Sequence, residues 1–238
     1  MKKNDFLFLS LLAILFLPFI VSDEMYNLLY HKEYGINTTH VMLTSFLKFA
    51  ILATLGESLG LRIKSGVYNK AGFGLLPRAV VWGFLGLTIK LSFVIFSAGT
   101  PVFLEKTMEL KGAINAMKQD FSGTKLWVAF SISTAMNLIF APVMMTIHKI
   151  TDTHIIENQG KLNVLFKPIK MKKIITNLDW DTQWNFVFKK TIPFFWIPAH
   201  TITFLMPSEF RVLFAAILGI VLGVILSFAN QSSRKQNT

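Results

Sequence analysis

The chain alternates long apolar runs with polar stretches. Six apolar runs stand out, and they cover residues 6–21, 41–61, 79–98, 126–150, 192–206 and 210–229. Most are near 20 residues, which is long enough to cross a bilayer as a helix, and the short alternating segments of an outer-membrane barrel are missing from the sequence. The pattern therefore predicts an all-α, polytopic membrane helix bundle of about six segments.

The first and fifth runs each leave an alternative open. Residues 6–21 resemble a signal peptide, but Ser22-Asp23-Glu24 offers no small-x-small cleavage site. We therefore expect an uncleaved first span, with cleavage as the alternative. Residues 192–206 are short for an upright span and lie between Pro193 and Pro207, so a re-entrant segment is the alternative to a full crossing.

The last two runs are predicted to form a hairpin with a proline at its turn. Pro207 lacks a backbone donor and disfavours helix before it, while Ser208 can cap a new helix whose positive end Glu209 favours. Arg211 would then lie at the membrane interface, where its guanidinium can reach lipid headgroups.

The distribution of charge predicts an orientation. The net charge is +11, and the basic stretches are the N-terminus, residues 62–78, residues 149–190 and the C-terminus. Residues 23–40 and 99–125, in contrast, are acidic or nearly balanced. Positive stretches stay inside, so both termini are expected in the cytoplasm, and the lysines need no nucleic-acid partner. We expect a bacterial cytoplasmic (inner) membrane, with an organelle membrane as the alternative.

Two regions are distinguished by composition. Residues 1–40 form an N-terminal span with a polar connection, and residues 41–238 form the main membrane domain. Within that domain, residues 151–191 are polar and rich in lysine, and aromatic side chains recur in them at every fourth position: Trp180, Trp184 and Phe188. This spacing predicts an amphipathic helix at the cytoplasmic headgroup boundary. Its lysines could bind anionic lipid, although a cytoplasmic location already explains them.

Four places in the chain resemble motifs of one family, in order and spacing. They are Gly56-Glu57, the pair Gly83 and Gly86, Phe140-Ala141-Pro142, and Met206-Pro207 with Arg211, followed by Leu226-Ser227. Trp196 and Pro198 stand where that family has a Trp-Pro segment. The chain is similar to the Mpv-type family of small peroxisomal and inner-mitochondrial membrane proteins. The resemblance implies a membrane-embedded channel or pore for small metabolites. It also implies that Trp196, Pro198, Pro207 and Arg211 shape a hairpin.

Polar side chains inside the apolar runs are the candidates for function. They are Lys48, Glu57, Lys90, Asn137 and His200, and counting along the helices brings all but Glu57 to one layer near the middle of the membrane. One reading is a polar path of cationic character for small anions. The alternatives are structural: Lys48 extends to the interface, Lys90 pairs with Glu57, and Asn137 and His200 bridge helices.

Small residues recur on the last run. Gly219 and Gly223 belong to an i, i+4 stripe with Ala215 and Ser227, which predicts close packing within the bundle or, alternatively, in a homo-oligomer. Gly83 and Gly86 are expected to pack helices in the same way.

No motif proposes an enzyme, a catalytic residue, a cofactor or a metal site, and the chain has no cysteine for thiolate chemistry. We expect a channel or pore for small anions or metabolites. The alternative is a non-conducting membrane scaffold or assembly factor.

Overall fold

Helices make up the whole of the regular structure that is described. The computed structural model describes residues 3–31 and 33–236, and of residues 3, 18, 19 and 224–236 it describes the backbone alone. The first six helices are α1 (Lys3–Val21), α2 (Asp23–Tyr30), α3 (Ile36–Thr39), α4 (Val41–Ser65), α5 (Leu75–Lys106) and α6 (Ala113–Ala116). Those that follow are α7 (Gly123–Ile139), α8 (Ala141–Glu157), a 3₁₀ turn (Leu162–Phe166), α9 (Met171–Thr176), a π-helix (Thr182–Trp196), α10 (Ile197–Leu205) and α11 (Ser208–Gln236). The predicted all-α class is confirmed.

Among the described residues, two helices, α4 and α5, are long and apolar enough to cross a membrane. A third crossing is available if α7 and α8, which are bent by 44° relative to each other, form one span. Within the described residues, length and composition thus support a membrane protein with two or three spans, against the six that the sequence predicts. The side chains of Leu226 and Ser227 lie outside the described residues.

The helix α5 extends beyond the predicted span at both ends. The prediction covered residues 79–98, whereas the helix continues through Pro101 to Lys106. Its 32 residues correspond to about 48 Å at 1.5 Å per residue. Pro101 removes a single backbone donor and is buried in the bundle, so packing holds the helix together past it.

The predicted span 126–150 is two helices joined at a bend. Phe140 interrupts the helix, and Pro142 lies in the first turn of α8, where its missing N–H needs no partner. The helix then runs on to Glu157. Residues 151–157, the start of the predicted polar segment, are therefore helical.

The amphipathic segment and the fifth apolar run are parts of one helical stretch. The π-helix begins at Thr182, passes Pro193 and joins α10 at Ile197. The sequence prediction began the fifth apolar run at 192, and the helix passes through this position without a break. A wider π-turn displaces the carbonyl that an α-helix would set against the proline ring, which explains why the helix does not stop there.

Glycines on α5 let it approach α4 closely. A Cβ on Gly83 would lie 2.4 Å from the ring of Phe46, and a Cβ on Gly86 would lie 2.6 Å from the Cβ of Phe49. Any larger residue at either position would push the two helices apart. This contact and that of α4 with α11 are the most extensive in the fold.

The two ends of the bundle are marked by contacts between distant residues. At one end, Asp5 accepts hydrogen bonds from Arg62 Nε and Nη2 at 2.7 and 2.9 Å. At the other end, Tyr30 stacks on Phe210 with ring centroids 5.0 Å apart. We call these the Arg62 end and the Tyr30 end. The start of α1 thus lies with the end of α4, and the end of α2 lies with the start of α11.

Two turns meet at the Arg62 end through glycines in the left-handed region. Gly74 has φ of 73° and Gly160 has φ of 65°. A Cβ on Gly74 would lie 2.8 Å from the Cα of Gly160, so both the backbone angle and the close approach require glycine there. The turn before α5 and the turn after α8 are therefore on the same side of the bundle.

Candidate functional site

A cavity of about 480 Å³ lies among α4, α5, α7, α8, α10, α11 and the π-helix. Its wall follows α4 from Phe49 to Lys64, a length of about 22 Å at 1.5 Å per residue. Most of the lining is apolar or aromatic, and the few charged, imidazole, amide or hydroxyl groups are Glu57, Lys64, Asn137, His148, Thr191 and His200. An apolar cavity of this size with a few polar groups is typical of a small-molecule site.

A buried ion cluster borders the cavity toward the Arg62 end. Arg78 forms ion pairs with Glu57 and with Asp152, and its side chain is only 7% exposed. Glu57 Oε1 also accepts a hydrogen bond from Trp82 Nε1 at 2.8 Å and lies 3.3 Å from His148 Nε2. The cluster joins α4, α5 and α8. Glu57 is paired with Arg78, so the alternative in which it pairs with Lys90 is wrong.

Sequence reasoning missed three members of this cluster. Arg78 was counted among the loop charges and Asp152 among those of the polar connection, while His148 carried no proposal. The signal was Glu57 itself, because a carboxylate in an apolar run needs a cation nearby. His148 and Asp152 are also four residues apart, which puts them on one face of α8.

Deeper in the cavity, α7 and α10 are joined by a buried hydrogen-bond network. The side chains of Asn137 and His200 are bonded, with 3.2 Å between Asn137 Oδ1 and His200 Nδ1. Asn137 Nδ2 donates to the carbonyl of Ser133 at 2.9 Å, and Ser133 Oγ donates to the carbonyl of Ile197 at 2.7 Å. Trp196 stacks on His200 with centroids 5.1 Å apart. Asn137 and His200, predicted to share a layer, therefore meet in a helix-bridging contact.

Three cations gather toward the Tyr30 end: Lys48, Lys90 and Arg211. Lys48 and Lys90 are close enough for their charges to interact, and so are Lys90 and Arg211. Lys48 Nζ donates a hydrogen bond to Asn37 Oδ1 at 2.7 Å and lies 5.4 Å from the ring centroid of Tyr30. Burial raises the pKa of Tyr30, so its phenol stays protonated there. We call these three residues the cationic cluster; none of them lines the cavity.

Arg211 also closes the end of α10. Its Nη2 donates to the carbonyl of Phe204 at 2.9 Å, and its Nε donates to the carbonyl of Met206 at 3.0 Å. A guanidinium in this position satisfies carbonyls that a helix end leaves without partners. Pro207 is exposed between α10 and α11, and Pro198 is exposed in the first turn of α10. Contact of Arg211 with lipid headgroups stays a prediction.

Three buried phenylalanines, Phe49, Phe93 and Phe204, belong to one core cluster, and Phe49 also lines the cavity. On the cavity side, Phe93 contacts His200 with centroids 5.7 Å apart. On the other side, the guanidinium of Arg211 lies 5.6 Å from the ring centroid of Phe204. Phe93 and Phe204 contact each other at 5.1 Å. We call these residues the aromatic layer, and its contacts run in series from His200 through Phe93 and Phe204 to Arg211.

The predicted small-residue stripe on α11 lines the cavity at Ala215, Gly219 and Gly223. A Cβ on Gly223 would lie 3.4 Å from the carbonyl oxygen of Gly56, which is a packing contact with α4. A Cβ on Gly219 would have nothing within 4 Å, because Gly219 lines the cavity. The side chain of Ser227 lies outside the described residues.

In the part of the chain that the structure describes, no group of three or more His, Asp or Glu side chains could hold a metal ion. Comparison with protein-family models, with curated proteins and with solved structures finds no match to this chain. The resemblance to the Mpv-type family thus stays a prediction from the sequence motifs.

Proposed function

We propose that this chain is an integral membrane protein in which the cavity and the cationic cluster are the two halves of a closed path for small organic anions or related metabolites. The observation that carries the proposal is the aromatic layer. Two phenylalanine rings in contact, Phe93 and Phe204, lie between His200, which lines the 480 Å³ cavity, and Arg211 of the cationic cluster. Apolar constrictions gate pores by excluding water, and rings of Lys and Arg select anions.

The lining of the cavity favours organic solutes over inorganic ions. A hydrated ion would lose its water against a wall of aromatic and aliphatic side chains without gaining comparable partners. An organic anion can bury its apolar body in the cavity, while the cationic cluster attracts its charged group. Burying three like charges in a membrane costs free energy, and attraction of an anion is a function that accounts for their presence there.

The proposed arrangement has about six membrane segments, with the Arg62 end in the cytoplasm of a bacterial cell or, alternatively, inside an organelle. The contact of Asp5 with Arg62 supports it, because the N-terminus and the 62–78 stretch are both basic and both belong inside. The contact of Tyr30 with Phe210 is consistent with the opposite side for residues 23–40 and the turn before α11.

A second candidate function, a non-conducting scaffold or assembly factor, is favoured by a different observation. Glu57, Asn137 and Lys48 each have a hydrogen-bond or ion-pair partner within the bundle. Polar groups satisfied in this way also serve only to hold helices together. In a scaffold, the aromatic layer would be ordinary core packing.

Widening the aromatic layer tests the path. Phe93→Ala removes its central ring, so vesicles that contain this variant should release a trapped organic anion such as benzoate faster than vesicles with the natural protein. The matched control is Phe103→Ala on the same helix, where the ring is 53% exposed. Removing a buried Phe costs about 3–5 kcal/mol, so melting is recorded first and Phe93→Leu replaces a variant that does not fold.

The cationic cluster is tested in the same vesicles. Adding Lys90→Met to the Phe93 variant should lower anion release relative to release of a cation of similar size, because one of the three attracting charges is gone. A folded Phe93 variant that releases no more than vesicles with the natural protein would contradict the path and favour the scaffold.

A further inference from the structure

The hydrogen bonds of Asn137 determine which nitrogen of His200 carries the hydrogen. Asn137 Nδ2 lies 2.9 Å from the Ser133 carbonyl oxygen, 3.2 Å from Ser133 Oγ and 3.0 Å from His200 Nδ1. Ser133 Oγ gives its own hydrogen to the carbonyl of Ile197, so it is free to accept one. If both amide hydrogens go to Ser133, Asn137 Oδ1 accepts from Nδ1–H of His200. The other assignment leaves Asn137 Oδ1 buried without a donor, which is costly.

This assignment makes Nε2 of His200 a hydrogen-bond acceptor. No hydrogen-bond partner for Nε2 occurs among the described residues, and His200 is only 8% exposed while it lines the cavity. Nε2 is not one of the fully buried polar atoms that lack a partner among the described residues, so it is open to the cavity and can accept a hydrogen bond from the hydroxyl group of a ligand.

The wall around this acceptor selects the rest of the ligand. Trp196 stacks on His200, and Phe49, Phe140 and Met136 are also part of the cavity lining. Aromatic rings and thioethers pack well against another aromatic ring. The cavity is long, so a ring at this level leaves room for an alkyl group along α4.

We propose that the cavity binds a lipophilic phenol, with the hydroxyl donating to Nε2 of His200 and the ring packed beside Trp196. The inference goes beyond the proposed function, because a phenol is neutral and not an anion, and it rests on that function only for the location of the site. A cavity that stores the ligand without passing it on would use the same groups.

The test compares two probes that differ in one hydrogen-bond donor. The full-length protein in detergent is titrated with para-propylphenol and with para-propylanisole, whose methylated oxygen cannot donate, and binding is followed by tryptophan fluorescence. The phenol should bind up to about tenfold more tightly, as expected for one hydrogen bond in a largely apolar cavity. Equal affinity for the two probes would overturn the proposal.

Two variants locate the contact. His200→Phe keeps a ring against Trp196 and removes the acceptor. The affinity of this variant for the phenol should therefore fall to its affinity for the anisole. Gly219→Leu fills the cavity and should abolish binding of both probes, while its matched control, Gly99→Leu, should bind both normally. Gly99 is also a helical glycine with open space around it, but it lies on the exposed face of α5. Undiminished phenol binding by Gly219→Leu would overturn the location, even if His200→Phe does not fold.

Failure of this inference is distinguishable from failure of the proposed function. Benzoate release through the Phe93 variant without a preference for the phenol would leave the path intact and overturn the phenol site. A preference for the phenol without any release would support the site and contradict the path.

Discussion

Two carboxylates in the bundle depend on one arginine. Arg78 lies between Glu57 and Asp152, and both carboxylate side chains are at most 20% exposed. Without the guanidinium, two negative charges would face each other in a poorly solvated site. Arg78 therefore stabilises the contact of α8 with α4 and α5, and it shapes the cavity wall at the same time.

We predict that Arg78→Met lowers the free energy of unfolding by about 3–5 kcal/mol, the cost of breaking a buried ion pair. Adding Asp152→Asn should recover part of the loss, because one of the two stranded charges is removed. Lys173→Met is the control: Lys173 pairs with Glu157 but is 57% exposed, so its cost should be below about 1 kcal/mol. Chemical unfolding in detergent measures all three, and equal costs for Arg78 and Lys173 would contradict the buried role.

A second residue-scale prediction concerns Lys90. Its charge interacts with Arg211, a like charge, whereas Glu57 is paired elsewhere. Lys90→Met should therefore leave thermal stability unchanged or raise it. Combining it with Glu57→Gln should give additive effects, with a coupling below about 0.5 kcal/mol. A clear rescue of Lys90→Met by Glu57→Gln would show that the two residues are partners after all.

At the scale of elements, glycines decide how closely α4 and α5 pack. Gly86→Ala would place a Cβ 2.6 Å from the Cβ of Phe49, an atom that cannot move without its backbone. We expect this variant to lose about 1–3 kcal/mol of stability, the usual cost of overpacking. Gly99→Ala on the same helix meets nothing within 4 Å, so it should gain up to about 1 kcal/mol from helix propensity. Opposite shifts in melting temperature confirm the contact, whereas shifts of one sign contradict it.

The continuous apolar runs allowed α4 and α5 to be predicted from the sequence. The helices that contain Pro142 and Pro193 were less predictable, because a proline can either begin a helix or lie within one. Pro142 lies at the start of α8, whereas Pro193 lies inside the π-helix. Nothing local to either proline decides between these outcomes; the packing around it does.

The candidate site was predictable in part, for a related reason. Depth along a helix can be counted from the sequence, and the count brought Asn137 and His200 to one level, where the structure joins them. The count does not give the direction in which a side chain points. Lys48 and Lys90 therefore belong to a separate cluster that does not line the cavity, and Arg78, in the first turn of α5, was treated as a loop residue.

At the scale of the whole molecule, the contacts at the two ends of the bundle predict which segments lie on the same side of a membrane. This prediction can be compared with the orientation inferred from charge. Ser65, at the end of α4, lies at the Arg62 end, and the meeting of Gly74 with Gly160 brings the turn after α8 to that end as well. The other end of α5, at Lys106, lies far from the Arg62 end because the helix is long. Residues near these two ends should thus be on opposite sides of a membrane.

Labelling of single cysteines tests this expectation without background, because the chain contains no cysteine. Exposed positions are available at both ends: Ser65 and Met171 on the predicted cytoplasmic side, and Glu33 and Met108 on the other. In intact cells, a membrane-impermeant maleimide should label Glu33→Cys and Met108→Cys, whereas Ser65→Cys and Met171→Cys should react only after lysis. Labelling of Ser65→Cys and Met108→Cys from the same side would sink the membrane-spanning arrangement, and with it the proposed path. The reverse pattern, with the Arg62 end labelled from outside, would keep the bundle and overturn only the orientation inferred from the lysines.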